Sequence, residues 1–441
     1  MNKTTKIYGT LLAAAMAAMP AGSAAQNTTN SPYSRYGYGV LSDRSQGFNK
    51  AMAGVAQGFR DATMVNSLNP ASYSAVDSLT LLFDVGVSMQ FANLKQGSLK
   101  TNAYNSSLDY INAQFRAWRN VGMSLGLLPL SSIGYSFKNK QTLSDIDGSG
   151  EKTETTTYNG DGGLHELYLG AGWRLFKNFS VGANVGFVWG DYSHTIQAVF
   201  SDNNVYQYRR AYTADIATYK IDFGAQYNTL VSKKDMLTFG ATYSLGHGID
   251  SKAKFISQVA NSTGSVSTGD TVTVNNAFEL PHSVSAGVMW NHNDKWKVGL
   301  DYSLELWKNT KFPQLSTQDG TNTYASSTGA FNNRHRIALG AEYLPNTLGV
   351  KYRDHIRYRA GVSYGNSYVK ANSQDAARDI LVTAGVGLPI ANIINNRSVL
   401  NVSAQWENIK PKGPGSITEN YVRICIGITF NESWFQKWKF K

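Results

Sequence analysis

Tyr421-Val422-Arg423-Ile424-Cys425-Ile426-Gly427-Ile428-Thr429-Phe430 alternates without a break. Val422, Ile424, Ile426, Ile428 and Phe430 share one parity, and Tyr421, Arg423, Cys425, Gly427 and Thr429 share the other. Successive side chains of a strand point to opposite faces, so this stretch is a strand with one apolar face. The same pattern recurs upstream. Leu81 to Phe91, Leu237 to Leu245, Val298 to Leu306 and Leu400 to Trp406 each place apolar residues on one parity and Gly, Ser, Thr or charged residues on the other. Fourteen such segments fit between residues 80 and 431, with a second at 104–118, a seventh at 234–256 and an eighth at 273–292. Polar links at 140–162, 257–272 and 310–331 separate some of them.

Alternation alone also suits a soluble sandwich of two sheets. Segment length argues for a membrane. Many run to 10 residues or more, against about 5–6 for an ordinary strand and about 9–11 for one that crosses a bilayer at a tilt. The apolar rows often end in Tyr or Trp (Tyr243, Trp290, Tyr343, Tyr364, Trp406), as an interfacial aromatic girdle does. The fold class expected is therefore all-β: a transmembrane antiparallel barrel of about 14 strands, an even number as in single-chain bacterial barrels.

Composition agrees. The chain has 441 residues, 16% charged, with 41 Gly and 25 Tyr, where a soluble protein carries about 25% charged residues. Its one Cys, Cys425, excludes an intrachain disulfide scaffold. A mean hydropathy of -0.30 excludes a polytopic helical membrane protein. Residues 1–25 read as a secretory signal peptide, with Lys3 and Lys6, an apolar run from Tyr8 to Met19 and small residues Ser23-Ala24-Ala25 before the cut. Residues 26–79 lack a long alternating run and are expected to plug the lumen as a hatch, residues 80–431 to form the barrel, and residues 432–441 to be a basic-aromatic periplasmic tail. The predicted address is the outer membrane of a Gram-negative cell. Expected partners are outer-membrane lipid and lipopolysaccharide rather than nucleic acid, because no basic cluster is interleaved with stacking aromatics.

The inward parity collects charges of both signs: Asp84, Glu166, Asp222, Asp301, Glu305, Glu342 and Glu407 against Lys220, Arg357, Arg359 and Arg423. On neighbouring strands these are expected to pair as a lumen charge network that holds the barrel's shape. Catalytic chemistry is not expected. Gly122-Met123-Ser124-Leu125-Gly126 has the spacing of a hydrolase elbow but lies within a strand, where the strand-turn-helix corner that motif needs is missing. Asp145 to Gly150 fails the calcium-loop pattern because position twelve is Thr156. The seven His show no zinc spacing. No cofactor or metal is predicted.

Gly47 to Ala56, followed by Asn66-Ser67-Leu68-Asn69-Pro70-Ala71-Ser72, resembles the N-terminal hatch of the FadL/TodX outer-membrane transport family. The resemblance implies a hatch-plugged barrel of fourteen strands that passively imports a hydrophobic ligand, such as long-chain fatty acids or aromatic hydrocarbons. It assigns Gly54, Asn69, Pro70 and Ala71 to anchoring the hatch to the first strand. In that family a kink in the third strand makes a lateral opening. Here the third strand holds Pro129, Ser131 and Ser132, and proline cannot donate to a ladder. The alternative reading is a non-transporting accessory barrel in a larger outer-membrane assembly or export complex.

Overall fold

The computed structural model describes residues 29–143, 152–202, 204–261, 266–318, 321–346, 348–370, 376–390, 398–413 and 415–433. The signal-peptide region, the Asp145 to Gly150 loop and the tail from residue 434 lie outside the described residues. The strands are β1 (Val40–Leu41), β2 (Thr80–Gln96), β3 (Leu99–Trp118), β4 (Val121–Leu143), β5 (Lys152–Arg174), β6 (Phe179–Phe200) and β7 (Gln207–Leu230). They continue with β8 (Asp235–Ser244), β9 (His247–Ile249), β10 (Lys252–Ala260), β11 (Val266–Asn275), β12 (Phe278–Leu280), β13 (Ser283–His292) and β14 (Trp296–Glu305). The last are β15 (Phe312–Gln318), β16 (Thr321–Ser327), β17 (Arg334–Tyr343), β18 (Arg357–Asn366), β19 (Arg378–Ile390), β20 (Ser398–Lys410) and β21 (Thr418–Ser433).

Antiparallel neighbours run in chain order round a closed 14-strand barrel. The ring shuts where β2 pairs with β21 over sixteen positions, from Thr80 opposite Ser433 to Lys95 opposite Thr418. Short turns close one end. Phe176 and Phe179 exchange backbone hydrogen bonds across Lys177-Asn178. Between β13 and β14, Asn293 and Asp294 both take a left-handed φ of 53°, which these two residue types tolerate.

Burial is inverted relative to a soluble sandwich. Val422, Ile424 and Ile426 are 44–46% exposed, Leu167 49% and Leu169 54%. Inward-facing Glu342 and Asp84 are each 1% exposed. Among the described residues no second sheet covers these outward apolar rows, the arrangement of a barrel built to face hydrocarbon. Aromatics mark both edges of this belt: Trp296 and Tyr343 pack 4.4 Å apart at the short-turn end, and Phe91 and Tyr104 lie edge to face at the other.

The predicted links differ from what is found. The 140–162 link belongs largely to β4 and β5, which stay paired out to Leu143 and Lys152. The 257–272 link is the top of the β10–β11 hairpin, and 310–331 contains the β15–β16 hairpin. Ser/Thr-rich strands with two polar faces show no apolar alternation, so periodicity could not find them. The seventh and eighth segments are each broken in three. Pro281 has no N–H to give, and β9 and β12 pair apart from the main sheet. The second segment starts at Leu99 rather than residue 104.

Replacing Ile424 by Arg at mid-strand is expected to cost roughly 2–4 kcal/mol of folding free energy in a bilayer. Replacing Thr429 by Ser on the inward parity should cost much less. Urea-dependent folding into liposomes measures both.

Candidate functional site

The inward face of the barrel is the candidate site, and residues 29–79 make contacts with it. Their polar groups reach strands all round the ring. Ala53 N–H donates to Thr383 Oγ1 at 3.0 Å, and Arg336 Nη2 donates to the Ala53 carbonyl at 3.0 Å. Ala56 and Gln57 N–H both donate to Asp301 Oδ2, at 2.6 and 2.9 Å. Gln405 Nε2 donates to the Lys50 carbonyl at 3.0 Å. Gly54 follows Ala53 in a left-handed turn, with φ of 78°, and its N–H reaches the Asn49 carbonyl at 2.8 Å.

Asn69 caps a 3₁₀ turn over Pro70–Ala75, accepting from Ala71 N–H at 3.1 Å. Its amide donates to the carbonyls of Gln57, at 2.9 Å, and Ala225, at 3.3 Å. Pro70 and Tyr73 lie against Gly122, Gly172, Gly182 and Gly224, where any Cβ would overlap their backbone or ring atoms. Asn69, Pro70 and Ala71 therefore seat on β4 to β7, not on the first barrel strand β2. That sector offers a floor of glycines low enough for the turn to dock. Gly240 and Gly361 make similar room for Gln57 and Met52.

The charged residues fall into separate clusters. Glu342 accepts from Arg359 Nε at 2.7 Å and Arg357 Nη1 at 3.0 Å, with Lys297 Nζ at 3.5 Å. Asp61 of the lumen segment joins them, 2.8 Å from Lys297 Nζ. Burial alone would raise the Asp61 carboxyl, but Lys297 and Arg357 outweigh it and hold the group well below the usual carboxylate range. Its ionisation therefore stabilises the fold above the ordinary carboxylate pKa and is lost only as strong acid protonates it. A second cluster joins Glu166 to Arg44 at 2.7 Å, with Lys220 paired to Asp222. Arg423 meets Glu407 at 2.5 Å, and Arg334 meets Glu305 at 3.0 Å. Asp84 is held by the Tyr110 and Thr429 hydroxyls at 3.3 and 3.1 Å.

Sequence reasoning missed Arg44, Lys50, Asp61, Lys297, Arg334 and Arg336. Lys297 shares parity with Asp301 and was legible. Those in the lumen segment carry no periodic signal.

Above the clusters, at the long-loop end, aromatic rings close the barrel. Tyr38 packs 5.4 Å from Phe312 and 5.6 Å from Trp307, which lies tilted at 4.6 Å from Tyr368. Tyr368 Oη donates to the Gly39 carbonyl at 2.6 Å. Between this cap and the turn at Ala53-Gly54 lies a cavity of about 550 Å³. Its lining is mixed, with Asp43, Arg44, Arg336, Asp379, Glu407 and several serines beside Leu41, Leu68, Leu108, Leu381 and Ile409. A smaller, more apolar cavity of about 130 Å³ sits under the cap beside Leu130, Leu164 and Trp307.

The β4–β5 register slips between Pro129 and Ser131. The β3–β4 ladder stops at Ile111 and Leu127, so the two strands diverge above it. β1 lies in the break, with Leu41 opposite Ser131 and Val40 opposite Ser132, and Ser42 N–H donates to the Leu130 carbonyl at 3.0 Å. Ser124 sits on continuous β4, its hydroxyl donating to the Ala113 carbonyl at 3.1 Å.

A protein family described as BamG matches residues 6–441. No curated protein matches the chain. Among solved structures, the CymD monoaromatic hydrocarbon channel is 13% identical, with a TM-score of 0.58 over 91% of this chain and 99% of that one. The toluene transporter TbuX of Ralstonia pickettii is 15% identical, with a TM-score of 0.56 over 86% and 96%. A FadL homologue of Pseudomonas aeruginosa is 12% identical, with a TM-score of 0.58 over 88% and 98%. At such identities the likeness is one of fold. These neighbours are a hydrocarbon channel, a transporter and a FadL homologue, not enzymes.

Asp301→Ala removes the acceptor of two buried N–H groups. It is expected to cost on the order of 1–3 kcal/mol and to speed hydrogen exchange at Ala56 and Gln57 while amides of β20 and β21 stay protected. Exchange mass spectrometry resolves the two regions.

Proposed function

The chain belongs to the BamG family, and from that premise we propose that it is a sealed barrel of the Gram-negative outer membrane. In this reading it serves as an accessory subunit of a larger outer-membrane assembly or export complex. The signal peptide of residues 1–25 would deliver it, residues 29–79 would act as a fixed plug rather than a moving hatch, and outer-membrane lipid with lipopolysaccharide would surround it.

One observation carries the reading: the chain's own N-terminal segment is tied to inward-facing groups of the barrel on several sides. The segment from Gln46 to Ala75 is bound to opposite walls by hydrogen bonds and ion pairs, and the aromatic cap packs beyond the cavity above it. The large remaining cavity mixes titratable and hydroxyl groups with apolar side chains. A hydrocarbon or acyl chain there would meet Leu41, Leu68, Leu108, Leu381 and Ile409 but would leave the charged and hydroxyl groups without water. A passive route would have to break buried ion pairs at Glu342 and Glu166, each expensive to separate in a dry interior. A scaffold subunit benefits from the same rigidity.

A second reading has its own support. The cavity wall includes Pro129, Ser131 and Ser132, so the lumen leads to the break between β3 and β4. Passive transport of hydrophobic small molecules would use that break as a lateral exit once β1 withdrew.

Reconstitution separates the two. The purified barrel in liposomes is expected to take up radiolabelled oleate or toluene no faster than protein-free vesicles, and mild-detergent extraction of native membranes should bring it out with stoichiometric partners. Faster uptake by a barrel that extracts alone would establish the transport reading instead.

A further inference from the structure

The outer face of the wall carries a groove that neither reading of function uses. Ser132 on β4 lies opposite Gly163 on β5, and Gly163 lies opposite Asp191 on β6. Asp161, His165 and Asp191 are exposed, on the parity of lipid-facing Leu167 and Leu169 on β5 and of Phe187 on β6. Gly163 has no side chain, so the row from Asp191 to Ser132 is a shallow floor. It leads to the break between β3 and β4. Outward-facing Asp161, His165 and Asp191 line the same cavity as inward-facing Arg44 and Glu407, so the lumen opens onto the outer surface along this floor.

Acids line the side of the groove away from the belt. Asp161 is the diagonal neighbour of Asp191 across β5 and β6. A Cβ at Gly162 would come within 2.9 Å of Asp191 Oδ2, so the Asp191 carboxylate leans over the residue next to Asp161. Asp191 also stands directly opposite Asp215 on β7, and like charges so placed destabilise a sheet. The charged groups that act on Asp191 are Asp161, Asp215 and His165. Among the described residues no Lys or Arg forms an ion pair with Asp161 or Asp191. Toward the belt, the rings of His165 and Phe187 stack against Trp189, with centroids 6.0 and 5.7 Å away. At the inner end of the groove Ser131, 2% exposed, keeps a hydroxyl with no hydrogen-bond partner. Unneutralised carboxylates above aromatic rings suit an organic cation with an apolar tail. The carboxylates accept from its ammonium, the rings attract the charge, and the tail lies along Leu167, Leu169 and Phe187. A bare metal ion fits less well, because no three His, Cys, Asp or Glu side chains among the described residues converge on one point.

We propose that Asp161, Asp191 and Trp189 form a site for the ammonium head of an amphipathic amine of the outer leaflet, with Asp215 and His165 at its edges. The site rests on the outer-membrane placement proposed above. It gives the lateral break a preference for cations over the carboxylate that a fatty acid carries.

The test places the full-length mature barrel in phosphatidylcholine nanodiscs seeded with octadecylamine, octadecanol or stearate, and reads the ligand retained after delipidation by native mass spectrometry. The wild-type protein is expected to keep the amine roughly tenfold better than the alcohol or the acid, the equivalent of one charge-assisted hydrogen bond. Asp161→Asn with Asp191→Asn should lose that preference. The same change removes like charges, so its melting temperature is not expected to fall, and a lost preference is then not a folding defect. Trp189→Leu, which keeps an apolar side chain under the acids, should weaken retention of the amine about two- to fivefold. Equal retention of amine and alcohol by the wild type, or an undiminished preference in the double Asn variant, overturns the site. So does retention of stearate equal to that of the amine. Strand content by circular dichroism in the same nanodiscs shows insertion separately. A barrel that inserts but does not discriminate sinks this site and leaves the outer-membrane reading standing, whereas failure to insert at all sinks both.

Discussion

Hydrocarbon offers no hydrogen-bond partner, and that constraint shapes everything else in this protein. An N–H or C=O left unpaired in the bilayer costs several kcal/mol, so strands can cross only as a closed ring. The ladder from Thr80–Ser433 to Lys95–Thr418 shuts the ring. Once it is shut, one parity of every strand must be apolar and the other faces a lumen. The exposed rows at Leu167, Leu169, Val422 and Ile424 follow directly.

The lumen poses the opposite problem. A ring of fourteen strands is too wide for its own side chains to fill. Here the space is taken by residues 29–79, whose backbone groups need partners as much as the wall's do. Inward carboxylates, amides and hydroxyls supply them: Asp301 for Ala56 and Gln57, Thr383 for Ala53, Gln226 for Gln57 and Phe59. Glycines at Gly182, Gly224 and Gly240 bring the two backbones close. The mixed charges on the inner wall thus match the polar backbone and ion pairs of a resident plug, and the break at Pro129 is where part of that plug joins the wall.

Much of this was readable in advance, and what was not has physical causes. Fourteen strands follow from the period of two because lipid tolerates so few exceptions on the outward face. The pairings Glu342 with Arg357 and Arg359, and Glu407 with Arg423, follow because consecutive strands are neighbours and inward charges in a dry lumen need counter-charges. Asp301 was identified as lumenal but given an ionic role, whereas it accepts from two backbone amides. Parity reports which way a side chain points and nothing about what it meets. The strand extensions above the membrane, such as Thr153 to Tyr158, were read as loop because water on both faces removes the alternation. The three residues Asn69, Pro70 and Ala71 were rightly singled out as a turn, since Asn and Pro encode it locally. Their seat on β4 to β7 was not legible.

By itself the sequence determined the class of the fold, the parity of nearly every wall residue and the presence of a non-barrel segment before the first strand, because each follows from interactions along the chain or with lipid. Only the tertiary structure decided that residues 29–79 bind inward-facing groups on several strands, that Asp61 and Arg44 complete the wall's ion pairs, and that β1 lies in the break at Pro129. Those contacts join residues up to several hundred positions apart, and their geometry exists only once the ring has closed and brought distant strands to a common height.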